Sequence, residues 1–244
     1  SLMQTVQLDP GIHRTDAPNG AVVVTERLSG VRSAAAGIWV RTASANETPD
    51  LLGVSHLLEH MVFKGTANRR AREIATALES RGGSLDAYTS RDHTSYQAHV
   101  LDQDLPLALE VLTDLVSNPL LRDEDLALER NVVLEEINGM LDTPDDMVHE
   151  IFNRTLYPDH PYGWSILGSP ETVGALSAAD LQAVHGRGYY PGNTVVAVAG
   201  NLEHQQVLDR LSELGWFDGE RRQALAPVAG AVGSAGVRIS QEAD

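Results

Sequence analysis

His56, Glu59 and His60 sit within five residues of one another in the stretch GVSHLLEHMVFKGT, residues 53–66. If this stretch is helical, His56 and His60 lie about 40° apart on one face. Two imidazoles so placed can bind one metal ion, and zinc suits them. Glu59 lies about 60° from His56 on the side away from His60. A carboxylate there can accept a proton from water, which is the chemistry of metal-assisted hydrolysis. The order is H-x-x-E-H, the reverse of the H-E-x-x-H zinc helix. The same residues could also form an ordinary histidine pair on an acidic helix. A catalytic zinc needs a third protein ligand, and the rest of the chain must supply it.

ALERNVVLEEINGM offers Glu129, Glu135 and Glu136. With Val133 set at zero, Leu126, Ile137 and Met140 fall within about 40° and define a buried stripe. Glu129 lies at about −40° and Glu136 at about −60°, whereas Glu135 lies at about −160° and faces solvent. Two carboxylates at the edge of a buried face are costly unless something pairs with them. Glu136 is therefore taken as the third ligand and Glu129 as its supporting neighbour. The plain alternative is that both border solvent.

These helices need a scaffold. Residues 21–28 and 31–42 read as strands, with Gly30 between them, so an antiparallel hairpin is expected. Asp50 or Ser55 is placed to cap the histidine helix. RRAREIATALESRG reads as an amphipathic helix stopped by Gly82 and Gly83. SLDAYTSRDHTSYQAHVL alternates as a second hairpin turning near Arg91 and Asp92. Three helical stretches follow, the last opening on Thr143 and Pro144. HPYGWSILGSPETV is turn-rich, and Ser177 caps a further helix. NTVVAVAGNL is a strongly β-branched strand, and a helix from Glu203 closes the series. The order predicts an α+β fold with a mainly antiparallel sheet and helices packed on it.

Composition narrows the function. The chain has 244 residues, 42% of them hydrophobic, with no apolar run near the ~20 residues of a membrane span. Its net charge of −16 argues against nucleic acid and suits basic partners. No cysteine is present, which removes disulfides, thiolate metal sites and cysteine nucleophiles. No G-x-S-x-G nucleophile turn appears. The opening SLM looks like a cloning remnant before Met3, and no signal peptide follows, so a cytoplasmic location is expected. The other histidines considered, His93, His99, His149 and His160, lack the spacing of the first pair and read as structural. Composition changes after Trp216. ALAPVAGAVGSAG reads as a linker and VRISQEAD as the start of another strand.

HLLEHMVFKGT, RGGSLDAYTSRDHTSYQAHVL, ERNVVLEEI, ILGSPETV and YYPGNTVVAVAGNL stand in one order along essentially the whole chain. In that order the chain resembles the pitrilysin-type metallopeptidases. The similarity is greatest to the processing-peptidase branch, which includes the mitochondrial enzyme and its bacterial relatives. The resemblance implies that His56, His60 and Glu136 hold one zinc ion per chain, that Glu59 is the catalytic base, and that Glu129 supports the ligands. It implies the first half of a clam-like pair of α+β halves, with residues 1–218 as the zinc-bearing domain. Residues 219–244 would be a linker and the start of a second domain. That second half usually supplies an Arg and a Tyr, so this chain alone is expected to bind zinc but to cleave little.

The resemblance also makes Asp86, Ala87, Tyr88 and Thr89 part of a strand that pairs with an extended peptide substrate. The family usually has Asn where Asp86 stands. An ionised Asp only accepts hydrogen bonds, which changes that side-chain contact and leans toward basic peptides. The expected partners are a peptide or unfolded-protein substrate, the second domain, and a homodimer or heterodimer mate. The rival readings are a non-catalytic assembly or core-type subunit of the same family, or a peptide-binding module.

Overall fold

The computed structural model describes residues 2–230. Seven strands form one sheet: β1 (Gln4–Asp9), β2 (Ile12–Asp16), β3 (Val22–Arg27), β4 (Ser33–Val40), β5 (Ser84–Thr89), β6 (Thr94–Leu101) and β7 (Thr194–Gly200). Their spatial order is β1-β2-β3-β7-β4-β6-β5. Among the described residues only the β3–β7 pair is parallel; every other pair is antiparallel. Among the described residues eight α-helices accompany it: α1 (Val54–Val62), α2 (Ala71–Glu79), α3 (Leu105–Ser117), α4 (Asp123–Leu141), α5 (Pro144–Leu156), α6 (Pro170–Ala175), α7 (Ala178–Gly188) and α8 (His204–Glu213). The α+β arrangement expected from the element order is the one observed. Among the described residues, no helix is long and apolar enough to cross a membrane.

The hairpin expected between residues 21–28 and 31–42 does not form. β7 lies between β3 and β4, pairing Val23 with Val196 on one side and Ile38 with Val196 on the other. The five residues 28–32 bridge two strand spacings of about 4.8 Å, well within the reach of five extended residues. At that end, Leu28 N–H donates to Gly200 O, and Asn201 N–H donates to Ser33 O. The TVVAVAG run of β7 is apolar on both faces, which suits a central position better than an edge. β1 and β2 were not anticipated, because β1 is exposed along its whole length and carries no buried alternation. α6 also went unread within the turn-rich stretch; its cap is Ser169, whose hydroxyl accepts from Thr172 N–H.

One face of the sheet holds the core. Val23, Ala36, Ile38, Tyr96, Ala98, Val196 and Val198 are buried there. α3 packs on β4 and β6, and α8 packs on β3. α1 is wedged among α4, α7 and β5, which brings the histidine helix to the β5 edge. Gly53 allows this placement. It stands at φ +91°, and a Cβ there would lie 2.5 Å from Leu167 O, so the start of α1 abuts the loop before α6.

Residues 219–230 have no regular secondary structure and lie along the domain. Leu225 N–H donates to Asn193 Oδ1, and the Arg222 guanidinium sits 3.7 Å from the centre of the Tyr190 ring. The strand expected from VRISQEAD lies outside the described residues.

Candidate metal centre

α1 projects His56 and His60 toward one side of α4. His56 Nε2 lies 3.3 Å from His60 Nε2. Glu136 Oε2 is 3.2 Å from His56 Nε2, and Glu136 Oε1 is 3.4 Å from His60 Nε2. A tetrahedral zinc with bonds of about 2.0–2.1 Å spaces its ligand atoms about 3.3–3.4 Å apart. The donor set fits a zinc ion in both atom type and spacing. Burial, and then the neighbouring His60, lowers the His56 pKa to about 4, so its imidazole is neutral near pH 7, as a metal ligand must be. The side chain of His56 is only 12% exposed while that of Glu136 is 40% exposed, so the cluster opens on the α4 side.

Glu59 shares the cluster, with ligand-capable atoms of His56, Glu59 and His60 all within 4.8 Å of one another. Its carboxylate is buried, and burial raises its pKa. Thr89 Oγ1 donates to Glu59 Oε1 at 3.3 Å. Glu129, two helical turns back on the same face of α4, lies with Oε2 3.1 Å from His60 Nδ1 and Oε1 2.9 Å from Lys64 Nζ. A carboxylate on the far ring nitrogen fixes the ring's orientation and tautomer. His60 therefore has an orienting partner. His56 has none among the described residues: its Nδ1 is buried and makes no hydrogen bond there.

β5 is an edge strand, paired only with β6 among the described strands. Thr89 and Ala87 lie on the face toward the helices, and Thr89 reaches Glu59. Asp86 and Tyr88 alternate to the exposed side, where Tyr88 Oη meets His93 Nε2 at 2.9 Å. The four residues named for substrate pairing thus divide two and two between the faces.

The helix cap differs from expectation. Neither Asp50 nor Ser55 caps α1. Gly53 is the N-cap residue and has no side chain, while Ser55 lies inside the first turn. Glu47 takes over from the preceding loop: its Oε1 accepts from Gly53 N–H at 2.9 Å and its Oε2 from Ser55 N–H at 2.7 Å. An acid in a polar loop such as ASANETPDL carries no sequence signal of burial. Burial pushes the Glu47 pKa from 4.5 up to about 7, against the two backbone hydrogen bonds that lower it. The folded state therefore binds this proton more tightly than the unfolded chain. The stability so contributed is full below about pH 4.5 and is lost as pH rises through about 7, on the order of 3 kcal/mol. Thermal unfolding of metal-free protein should show the wild type losing ground to Glu47→Gln across that window. Parallel curves for the two proteins would refute the assignment.

The insulinase (peptidase family M16) model matches residues 22–170, more than half of the chain. The chain belongs to that family. It is 41% identical over 223 residues to an "uncharacterized zinc protease" of Streptomyces coelicolor, covering 90% of this chain and 49% of that protein. The crystal structure of a protease from Helicobacter pylori superposes with a TM-score of 0.83 at 25% identity, over 95% of this chain and 54% of that one. The first half of the periplasmic protease PqqL from Escherichia coli matches in fold, with a TM-score of 0.80 at 20% identity, over 93% of this chain and 51% of that one. The chain spans about half the length of the curated relatives it matches.

Proposed function

We propose that the chain is the metal-bearing half of a zinc endopeptidase of the processing-peptidase type. The observation that carries this reading is that Glu136 sets one carboxylate oxygen 3.2 Å from His56 Nε2 and the other 3.4 Å from His60 Nε2, with those two nitrogens 3.3 Å apart. His56, His60 and Glu136 would hold one zinc ion, which when bound supplies a Lewis acid for carbonyl polarisation and water activation. Glu59 takes the proton of the attacking water and returns it to the leaving amine. Burial keeps its carboxylate basic enough for the first transfer. The free edge of β5 pairs with an extended peptide through main-chain hydrogen bonds, which places a scissile bond beside Thr89 and Glu59. The acidic chain favours basic peptides.

The relatives named zinc proteases support the reading, and their doubled length supports a second half as part of the working enzyme. Metal analysis of the purified protein should find about one zinc per chain, and a chelator should abolish peptide cleavage in a protein that carries both halves. The 244-residue chain alone should cleave far more slowly. Full cleavage after complete metal removal would overturn the proposal.

A further inference from the structure

We infer that Glu47 is a positioning residue for the metal centre: its carboxylate sets where α1 begins and thereby where His56 points. The inference rests on the metal reading above. Three observations carry it. First, Glu47 bonds Gly53 N–H and Ser55 N–H together, and His56 is the next residue in the chain. These are amides of the N-terminal turn, which lack intrahelical acceptors. A carboxylate there also faces the positive end of the helix dipole. Second, no local residue can do this. Gly53 has no side chain and stands at φ +91°, where a substituted residue would strike Leu167 O. Third, the two histidines are supported differently. His60 is oriented through Nδ1 by Glu129, whereas the buried Nδ1 of His56 has no hydrogen-bond partner among the described residues. Apart from the contacts of its Nε2 with Glu136 and His60, the direction of the His56 ring then depends on packing and on the backbone that Glu47 holds.

Glu47 is buried and makes no ion pair among the described residues, so its charge is costly to the fold. That cost is understandable if the ionised form serves the site, because only a carboxylate offers two acceptors to two N–H groups. A glutamine offers one acceptor and turns a donor against the other amide.

The test uses Co²⁺ as an optical probe for the site, titrated into the full chain at pH 8. Glu47→Gln should bind Co²⁺ about 10–100-fold more weakly than wild type, the range for losing a group that orients a ligand. Its metal-free form should unfold at a temperature no lower than wild type, which a general loss of structure would not allow. Equal affinity and an unchanged cobalt spectrum would overturn the inference while leaving the metal reading intact. No cobalt binding by wild type would instead overturn the metal reading and this inference with it. A second measurement needs no variant. Coupling between sites is reciprocal, so Zn²⁺ must slow amide exchange at Gly53 and Ser55 if their clamp favours the bound state. Unchanged exchange at those two amides on adding Zn²⁺ would also overturn it.

Discussion

Glu59→Gln is expected to lower peptide hydrolysis by about 10²–10⁴-fold in the catalytically competent protein while leaving its zinc content unchanged. The substitution is nearly isosteric. The amide oxygen can keep the hydrogen bond from Thr89 Oγ1, so β5 stays where it is. The three atoms proposed as ligands, on His56, His60 and Glu136, are untouched. What disappears is a group able to accept a proton, because an amide does not titrate in this range. Burial has already raised the Glu59 pKa, so the wild-type carboxylate is a stronger base than a solvated glutamate. Steady-state cleavage of an unstructured peptide, with metal analysis on the same preparation, makes the comparison. Full activity in the variant would remove Glu59 from the mechanism. Loss of zinc together with activity would move it into the ligand set.

The second large effect separates two glutamates seven residues apart on α4. Glu136→Ala should leave the purified protein without zinc, because two imidazoles alone do not make a three-ligand catalytic site. Glu129→Gln should weaken zinc binding by only about 10–100-fold, as expected for a group that acts through a ligand. The geometry accounts for the difference. Glu136 places an oxygen on each histidine Nε2, where the metal would sit, whereas Glu129 touches only the far nitrogen of His60. Glu129 is also tied to Lys64, so its loss leaves a partly buried ammonium without its partner. Zinc affinities from competition with a chromophoric chelator resolve the two cases. Equal losses would refute the division of roles.

How much of this was legible in the sequence depends on how local the signal is. Helical periodicity is local, so the angles on α4 already set Glu129 and Glu136 beside the stripe of Leu126, Val133 and Ile137, all three buried. Met140, read as part of that stripe, is half-buried, as fits the last turn of the helix. The β5–β6 hairpin was also local, with its turn at Arg91 and Asp92. The expected β3–β4 hairpin does not form because the strand that both pair with lies far along the chain: Val22 pairs with Val195, and Val40 with Thr194. Glu47 was invisible for another reason. Its burial comes from tertiary packing around the start of α1, and nothing in its neighbours marks it.

The late arrival of β7 has a consequence for synthesis. The middle of the sheet is the last of the described strands to leave the ribosome, so β3 and β4 wait with one edge each unpaired while α1 to α7 are made. Pairings of such sequence separation form slowly, and unpaired strand edges invite association with other chains. A nascent chain that stops short of Thr194 would carry both histidines and both α4 glutamates, yet its two central strand edges would still be open to any other strand in reach.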